Sequence, residues 1–527
     1  MAELSTALNK HPNRSFVAYL IYGLINGFMA GLSYLPSVSY VCQNLRSALD
    51  EPDVVDRLLA REVERGYMIG PYDDPIFPVF RINPIGVATR KYSGKKRLIM
   101  DLSSPHHGSV PSINSLIPLT PFSLSYATVD HAITLIKLAG RGAWLGKADI
   151  TDAFKIIPLH KSQWHLFGVR WRGKSYFSVR LPFGSRSSPA IFNHLSEALC
   201  WILLNNLRLP FVLHLLDDFL VVDYPASSPA RCINALTDTF NSLGVPLSPE
   251  KTQGPSQVME FLGITLDSLR MRASLPLEKL VRIREVMHSM SAATSLTKRE
   301  LLSLLGHLNF AMRVIPQGRS FISRLLDLSK SVAGLSDSVV LDEGCRSDLG
   351  FWASLLEGWN GISMFLNDQV ESSAELKFYT DAAPSLGYGG IFGDQWFAGG
   401  WPVELSALPP SVQSTALMEI YPIAVACVLW GHLWSRKRIV VFCDNEAAVH
   451  IINKGRSNVP LINSFVRRIT WSSVRGSFMV RAAHIPGLDN TVADSLSRFN
   501  FQVFRRLCPQ AAAQGLHCPA FSQMVLD

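Results

Sequence analysis

The chain has 527 residues, of which 48% are hydrophobic and 17% charged, so it is not a disordered chain and has room for about three domains. Its formal net charge of +8 favours a polyanionic partner such as nucleic acid. The eight cysteines form no CxxC pair, which argues against a disulfide framework or a zinc module. We therefore expect an intracellular protein of the cytoplasm or the nucleus.

Residues 1–75 are predicted to be a helical segment. The run from Ser15 to Leu45 contains no charged residue, and its part 16–35 is long enough to cross a bilayer. The run also contains Asn26 and several glycines, and no small-residue cleavage site follows it. We expect a buried helix here and no membrane partner. A further helix should begin at Pro52 and end near Gly66.

Two hairpins and one strand end follow. Residues 86–102 are predicted to be two strands around a basic turn that includes Lys91 and Arg97. Such a hairpin can clamp a triphosphate, although an ordinary soluble edge hairpin has the same pattern. The next strand ends at Asp149, a single acid that needs a partner before it can hold a metal. Residues 167–180 are predicted to be the second hairpin.

The stretch 181–192 is predicted to be a turn that leads into a helix. Ser188 suits the N-cap of that helix, and Pro189 suits its first position. Gly184 would let the backbone approach a ligand closely.

The run 211–222 predicts two apolar strands with Asp217 and Asp218 at the bend between them. Two adjacent carboxylates repel each other, and a cation between them removes that repulsion. Magnesium takes oxygen ligands and suits such a pair. An isolated Asp-Asp pair is more often a polar turn, so the rest of the chain has to decide.

A helix is predicted at about 229–243, the chain is predicted to be helical again at 297–328, and a connecting segment is predicted at about 330–373. Thr297 and Glu300 form a capping box at the start of one helix. Before it, a turn carries Lys251, and a strand and turn follow at 260–266.

From Leu376 onwards strands and helices alternate, which predicts a separate α/β domain. Four acids stand at element ends or on an apolar helix that faces them, and each alone is more simply a cap or a surface charge. Together, in a basic chain, they suit two metal ions that cut or join a phosphodiester. The four acids are Asp381, Glu419, Asp444 and Asp494.

The order of these motifs resembles the palm of retroelement reverse transcriptases. The motifs that carry the resemblance are Asp149, the run 181–192, Leu-Asp-Asp at 216–218, Lys251 and Phe-Leu-Gly at 261–263. The four later acids resemble the ribonuclease H quartet that follows the polymerase in such proteins, and His484 resembles its mobile histidine. The runs 101–105 and 493–498 are most similar to DIRS-like, tyrosine-recombinase retrotransposons, which adds a separately encoded tyrosine recombinase to the expected partners.

The resemblance implies a multidomain α+β and α/β chain. It would be a right-hand polymerase with fingers, palm and thumb, followed by a ribonuclease H-like α/β domain. The implied boundaries are 1–75 for an N-terminal helical segment, 76–265 for fingers and palm, 266–373 for a helical thumb and connection, 374–500 for the ribonuclease H-like domain and 501–527 for a C-terminal tail.

The resemblance also implies an RNA-directed DNA polymerase with a ribonuclease that degrades the RNA strand of RNA–DNA hybrids. The implied partners are an RNA template, a DNA primer, the hybrid and dNTPs, with two Mg²⁺ ions per active site and Mn²⁺ as an alternative. The implied catalytic residues are Asp149, Asp217, Asp218, Asp381, Glu419, Asp444, His484 and Asp494, and all of them except His484 would bind metal. The implied nucleotide-binding residues are Lys91, Arg97, Phe154, Phe183, Gly184 and Lys251. The implied primer-binding residues are Leu215, Phe261, Leu262 and Gly263.

Two positions depart from the family, and a third matches it. Leu215 stands where the family usually has Tyr, and Phe183 where it frequently has Gln. Phe154, five residues after Asp149, is at the family's sugar-gating position, although an isolated aromatic residue usually packs in a core.

The alternative to an enzyme is a catalytically inactive, nucleic-acid-binding relic. Every carboxylate that the two sites need is present, which favours the enzyme. An RNA-copying RNA polymerase is disfavoured by the attached ribonuclease H.

Overall fold

A computed structural model describes residues 1–89, 94–107, 110–291, 293–365, 370–372, 378–409 and 413–526. The chain divides into two compact units, Met1–Phe261 and Leu262–Asp527.

Helices and strands are mixed throughout the first unit. Its helices are α1 (Ala2–Ala7), α2 (Arg14–Asn26), α3 (Arg46–Leu49), α4 (Pro52–Glu64), α5 (Val129–Ala139), α6 (Ser188–Asn205) and α7 (Arg231–Ser242). Its strands are β1 (Tyr40–Val41), β2 (Met68–Tyr72), β3 (Arg81–Ile82), β4 (Ile85–Thr89), β5 (Lys96–Met100), β6 (Trp144–Asp149), β7 (Gly168–Trp171), β8 (Lys174–Ser178), β9 (Phe211–Leu215), β10 (Asp218–Asp223), β11 (Gln253–Ser256) and β12 (Val258–Phe261).

The sheet that carries the acidic hairpin has the strand order β11-β6-β10-β9 and is antiparallel throughout. Helices α5 and α7 contact its central strand β10, and α6 contacts β9. Apolar residues therefore occupy both faces of β10, and the run Phe219–Val222 is fully buried. This core fixes the hairpin from below.

The predicted hairpins form as expected. Strands β4 and β5 pair antiparallel, and β7 and β8 pair around Arg172 and Gly173, both of which have positive φ angles of 47° and 77°. Strands β7 and β8 belong to a five-stranded sheet with the order β1-β3-β7-β8-β2. Helix α4 packs near this sheet through Val55 and Leu59, and its boundaries at Pro52 and Gly66 agree with the sequence.

The N-terminal segment is only partly the buried helix that the sequence predicts. Helix α2 has 13 residues, fewer than the roughly 20 that a membrane span needs. It stops before Gly27, where φ is +91° and a Cβ atom would lie 2.5 Å from the backbone of His160. Val17 and Leu20 are buried, but Tyr22 and Ile25 are each 62% exposed. Strands β1 and β2 also lie within 1–75, so the segment is not wholly helical.

The second unit begins with a helical part. Its helices are α8 (Leu277–Ser291), α9 (Lys298–Ala311), α10 (Ser323–Lys330) and α11 (Glu343–Gly358), and its strands are β13 (Ile264–Asp267), β14 (Arg272–Ser274), β15 (Ser295–Thr297), β16 (Ser338–Val340) and β17 (Ile362–Met364). The predicted capping box of Thr297 and Glu300 forms at the start of α9. The stretch after residue 330 contains more than a connection, because Asp342 caps the 16-residue helix α11.

The remainder of the second unit is an α/β arrangement. Its strands are β18 (Val370–Ser372), β19 (Phe378–Ala383), β20 (Gly387–Phe392), β21 (Gln395–Gly400), β22 (Arg438–Cys443) and β23 (Met479–His484). Its helices are α12 (Val403–Ser406), α13 (Thr415–Trp430), α14 (Glu446–Lys454), α15 (Pro460–Gly476), α16 (Thr491–Ser497), α17 (Phe501–Leu507) and α18 (Phe521–Met524). Strands β19, β20 and β21 form an antiparallel sheet, β18, β22 and β23 form a parallel one, and β19 contacts β22.

Helix α13 forms the centre of this α/β part, and nearly all of its residues are buried. With the turn that follows it, the helix spans Thr415–Trp434 and is long and apolar enough to cross a membrane, but 78% of its most apolar window is buried inside the protein. The C-terminal residues also pack here, since Phe521 stacks on Tyr421 and the Trp396 indole donates a hydrogen bond to the Ala512 carbonyl. The predicted tail is therefore part of the folded unit.

Candidate active site

The acidic hairpin is a tight turn held from two sides. Strand β9 ends at Leu215, Leu216 adopts a positive φ of 54°, and β10 begins at Asp218. The backbone N–H of Ile150 donates to the Asp217 carbonyl at 3.0 Å, and Ser196 Oγ on α6 donates to the Leu216 carbonyl at 2.9 Å. These two bonds satisfy the carbonyls of Leu216 and Asp217 and hold the bend in place.

Asp149 lies directly opposite Asp218 in the register of β6 and β10. Burial, followed by the nearby charge of Asp217 and the hydrogen bond with Asp149, raises the pKa of Asp218 to about 7. Burial likewise raises the pKa of Asp217, while the charges of Lys251 and Arg97 lower it in part. Three carboxylates thus meet at one point, where the negative charge is only partly compensated by the protein.

Lys251 provides part of that compensation. Its Nζ atom lies 2.7 Å from Asp149 Oδ2, and the Ser248 N–H donates to the Asp149 carbonyl at 2.9 Å. The turn that carries Lys251 is therefore fastened to the end of β6. The predicted position of Lys251 beside the leaving pyrophosphate stays a prediction, and in this structure its ammonium group neutralises the Asp149 carboxylate.

The donor set of this cluster fits magnesium. Asp149, Asp217 and Asp218 offer carboxylate oxygens, which are the ligands that hard divalent cations prefer. A cation there would offset the repulsion that raises the carboxyl pKa values.

The predicted nucleotide-binding residues lie on several segments of the first unit. Arg97 is on β5, and its charge acts on Asp217, whereas Lys91 falls outside the described residues. Phe183 is 45% exposed. Gly184 has a φ of +95°, and a Cβ atom there would lie 2.7 Å from the Met100 carbonyl oxygen. Gly184 therefore packs closely against the end of β5, and its predicted approach to a ligand stays a prediction.

Phe154 packs in a small aromatic group. Its ring centroid lies 4.9 Å from that of Phe183 and 5.7 Å from that of Phe192, and the side chain is half-buried. Phe192 is fully buried on α6 and supports the ring of Phe154, which stays partly exposed. The packing is compatible with both interpretations of Phe154.

The beginning of α6 differs by one residue from the prediction. Ser187 occupies the N-cap without a side-chain cap bond, and Ser188 is the first helical residue. The Ser188 hydroxyl donates to the Pro182 carbonyl at 2.9 Å, so it fixes the preceding turn. One face of the helix is apolar, and its members Ile191, Phe192, Leu195 and Leu199 are all buried.

The predicted primer-binding residues occupy two turns. Leu215 is the last residue of β9 and pairs with Asp218. Phe261 is buried at the end of β12. Leu262 and Gly263 both have positive φ angles, and Arg313 and Lys279 donate to their carbonyls at 2.7 and 3.0 Å.

The four later acids also converge. Asp381 lies within β19, Glu419 on α13, Asp444 directly after β22 and Asp494 on α16. The sequence places Asp381 at a strand end, but β19 continues two residues further to Ala383. Carboxylate oxygens of Glu419 and Asp444 and the sulfur of Cys443 all lie within 4.8 Å of one another.

Burial dominates the electrostatics of this second cluster. It raises the pKa of Glu419 to about 9, with further contributions from Asp381 and Asp444. It also raises the pKa of Asp381 to about 6, although a hydrogen bond from Ser497 opposes that shift. Buried acids that repel one another in this way are suited to bind cations, and their oxygen donors again fit magnesium.

Sequence reasoning missed the groups that orient Asp381. Ser497 Oγ donates to Asp381 Oδ2 at 2.5 Å, and Asn490 Nδ2 donates to Oδ1 at 3.2 Å. Both residues lie close to Asp494 in the sequence, and Ser497 belongs to the run 493–498. Cys443 was also missed, because a single cysteine before an acid carries no pattern of its own.

His484 is exposed at the end of β23, and its Nε2 atom lies 3.2 Å from the Asp444 carbonyl oxygen. It is therefore beside the acid cluster without being buried in it. Asp494 is also accessible and pairs with Arg498 at 2.6 Å. The exposed side of the cluster thus has a histidine and an arginine available to a substrate.

The buried charge of Glu419 leads to a prediction about stability. Between its ordinary pKa of 4.5 and the raised value of about 9, the folded protein holds a proton that the unfolded chain has released. Without divalent cations, stability should be highest at low pH and fall as the pH rises towards 9. Glu419→Gln should remove most of this dependence and raise the Tm at about pH 8 in EDTA by about 2 °C or more.

Thermal unfolding of wild type and variant across pH measures the effect. Glu404→Gln is the control, because Glu404 is exposed on α12. An unchanged or lower Tm for Glu419→Gln in EDTA would show that Glu419 is not a destabilising buried charge.

The match to a family model lies almost wholly in the first unit. Residues 88–266 match the family described as reverse transcriptase (RNA-dependent DNA polymerase). The chain is 26% identical over 309 residues to the Gag-Pro-Pol polyprotein of Human T-cell leukemia virus 3 (strain 2026ND), which covers 56% of this chain and 19% of the polyprotein. It is also 26% identical over 343 residues to the Pro-Pol polyprotein of Simian foamy virus type 1, which covers 64% of this chain and 25% of that one.

The chain thus spans about a fifth to a quarter of these curated relatives. Among solved structures, a foamy viral protease-reverse transcriptase in complex with double-stranded DNA is similar over 91% of this chain and 81% of that one, with 17% identity and a TM-score of 0.50. This likeness concerns the fold, and it confirms the predicted multidomain mixture of α and β structure.

Proposed function

We propose that this chain, whose residues 88–266 form a reverse transcriptase domain, is an RNA-directed DNA polymerase of a retroelement. We further propose that its second unit carries a ribonuclease H that degrades the RNA strand of RNA–DNA hybrids. The observation that carries the first proposal is the meeting of Asp149, Asp217 and Asp218 at the end of one sheet, with Lys251 2.7 Å from Asp149.

The protein's own groups suggest a division of labour in nucleotide transfer. Magnesium ions held by the three carboxylates would supply charge stabilisation for the transferred phosphoryl group. Arg97, beside the acid cluster, would bind the triphosphate and hold it in line. Lys251 would leave Asp149 and approach the leaving pyrophosphate once the carboxylate has a cation as its partner. Ser196 and Ile150 would keep the hairpin in place throughout.

The second site would act on the hybrid that the first site makes. Asp381, Glu419, Asp444 and Asp494 would hold the metal ions that hydrolysis of a phosphodiester requires. Ser497 and Asn490 fix the Asp381 carboxylate, and the exposed His484 would help the product leave. The two activities belong together, because copying RNA leaves a hybrid whose RNA must be removed before the second strand is made.

The finer assignments rest on fewer residues. We propose membership of the DIRS-like group from the runs 101–105 and 493–498, which makes a separate tyrosine recombinase an expected partner. RNA template, DNA primer, dNTPs and hybrid are the substrates of the proposed activities, in the cytoplasm or nucleus.

The competing proposal, a relic that binds nucleic acid without catalysis, predicts nucleic-acid binding with neither activity. Primer extension with magnesium and cleavage of a labelled hybrid separate the two.

A prediction about sugar selection follows from the position of Phe154. Phe192 supports the ring of Phe154. The exposed part of that ring would lie beneath the sugar of the incoming nucleotide and exclude a 2′ hydroxyl. Phe154→Val should raise incorporation of ribonucleotides relative to deoxyribonucleotides by at least about tenfold, or about 1.4 kcal/mol of lost discrimination. The measurement compares kcat/KM for UTP and dTTP on the same primed template.

The matched control for Phe154→Val is Phe80→Val, which alters a ring elsewhere in the same unit and should leave the ratio unchanged. If Phe154→Val keeps normal dTTP incorporation and an unchanged ratio, Phe154 only packs in the core and the sugar gate lies elsewhere.

A further inference from the structure

A cleft of about 560 Å³ lies in the second unit, away from the four acids. Its walls come from the 3₁₀ turn Pro316–Phe321, the C-terminal end of α14, one face of α15 and the beginning of β23. Helix α14 begins two residues after Asp444 and ends in this cleft. Its nine residues, about 13 Å of helix, therefore separate the cleft from the acid cluster.

The charges on its walls are all positive. No aspartate or glutamate lines the cleft, whereas two residues of α14 or its end, one of the 3₁₀ turn and one of β23 are cations. These four residues, which define the basic cleft, are Arg319, Lys454, Arg456 and Arg481. Four unit charges on a concave surface give a strongly positive potential, because the low-dielectric walls concentrate the field.

Most of this charge is not neutralised by the protein. In the part of the chain that the structure describes, Arg319, Lys454 and Arg481 are exposed and have no ion-pair partner, while Arg456 donates a hydrogen bond to Ser323 Oγ.

One carboxylate, Asp348, lies buried close to the cleft. Arg324 and Arg467 already pair with it at 3.3 and 3.5 Å, so two cations share this single acid. Of the four cations of the basic cleft, Arg456 also acts on Asp348, whereas Arg319, Lys454 and Arg481 form no ion pair with it in the described part of the chain.

Hydrogen bonds fasten the walls of the cleft to one another. Gln317 Nε2 donates to the Phe478 carbonyl at 2.9 Å, which fastens the 3₁₀ turn to the strand side of the cleft. The Asn453 side chain donates to the Ala482 carbonyl at 2.8 Å and accepts from the Ala482 N–H at 2.9 Å, which fastens the end of α14 to β23. No aromatic ring lines the cleft, so bases cannot stack on its walls. The cations would hold a ligand by its anionic groups.

We propose that the basic cleft binds the backbone phosphates of single-stranded nucleic acid. Its volume lies within the range of about 300–1,000 Å³ in which ligand pockets fall, so it has room for a short stretch of one strand. A double helix carries its phosphates on a wide cylinder and would touch only the rim. The proposal rests on the proposed function only for the source of the strand, which would be the unpaired end beside the hybrid at the second site.

Equilibrium binding to two hybrids tests the proposal with the full-length protein. One RNA–DNA hybrid is blunt, and the other carries a single-stranded extension of about 12 nucleotides, within the site sizes of known single-strand binders. The wild type should bind the extended hybrid more tightly, and the benefit should weaken as salt rises. Arg319→Gln combined with Lys454→Gln should lower the salt slope for the extended hybrid by about 1.4, or about 0.7 for each lost phosphate contact. Its affinity for the blunt hybrid should stay unchanged.

A photoreactive 4-thiothymidine in the extension locates the contact. In the wild type we expect crosslinks to peptides that contain 316–323 or 452–456, and in the double variant we expect them to be lost. Lys330→Gln combined with Arg506→Gln is the charge-matched control, because both residues are exposed cations outside the cleft. This control should behave like the wild type.

Equal affinity of the wild type for the two hybrids, an unchanged salt slope in the cleft variant, or crosslinks from the extension only to peptides outside the cleft would each overturn the proposal. Nucleotide incorporation and hybrid cleavage are measured on the same preparations. A protein that binds the extension through the cleft but has neither activity would overturn the proposed function and support the cleft.

Discussion

Asp218→Asn should abolish DNA synthesis and leave cleavage of the hybrid intact. The substitution keeps the size of the side chain but removes a charge from the three-carboxylate cluster, so the affinity for metal ions at the end of β6 and β10 should fall. Metal-ion stabilisation of a transferring phosphoryl group contributes several kcal/mol, so incorporation of dTTP should fall by about 10³-fold or more. Because burial and Asp217 already disfavour the charged form of Asp218, the metal-free variant should be no less stable than the wild type.

The measurement is primer extension and hybrid cleavage on one preparation, with Tm as a check on folding. Asp130→Asn is the matched control, since Asp130 is an exposed acid on α5 of the same unit. Loss of both activities from Asp218→Asn in a folded protein would contradict the assignment of two separate sites.

Asp444→Asn should have the opposite effect, with hybrid cleavage lost by about 10³-fold or more and DNA synthesis retained. Asp444 lies within 4.8 Å of Glu419, and its charge contributes to the raised pKa of both Glu419 and Asp381. Removing it should weaken metal binding to the whole quartet. The fold should survive, because Asp444 lies just after β22 and is not in a buried ion pair.

Cleavage of a hybrid with a labelled RNA strand measures this effect, and dTTP incorporation by the same sample shows that the polymerase is intact. Asp394→Asn is the control, because Asp394 is an exposed acid in the turn between β20 and β21 of the same α/β part. Normal hybrid cleavage by Asp444→Asn would contradict the assignment of hybrid cleavage to the four acids of the second unit.

Local patterns predicted the elements that carry the first site. The hairpin at 211–222 is bounded by strong strand formers, and its two acids sit at the bend as expected. The capping box at Thr297 and the positive φ angles at Arg172 and Gly173 follow from local chemistry in the same way. Such features depend on a few neighbouring residues, which is why one sequence is enough to find them.

The features that were missed depend on distant residues. The Asp149–Lys251 pair joins positions 102 residues apart, and Ser497 reaches Asp381 across 116 residues. Gly184 fits its place because of the Met100 carbonyl, which no local pattern reveals. Helix α15 was overlooked although a local pattern marks it, since Ile462, Phe465 and Val466 follow the i, i+3, i+4 spacing of an amphipathic helix.

The central claim, that the acidic hairpin belongs to an enzyme that copies RNA into DNA, is tested most directly by primer extension on poly(rA)/oligo(dT) with purified protein. The predicted result is incorporation of dTTP that requires Mg²⁺ or Mn²⁺, stops on addition of EDTA and is absent in Asp218→Asn. If the folded wild type binds the primed template but incorporates no dTTP with either metal, or if Asp218→Asn incorporates as much as the wild type, the claim is contradicted.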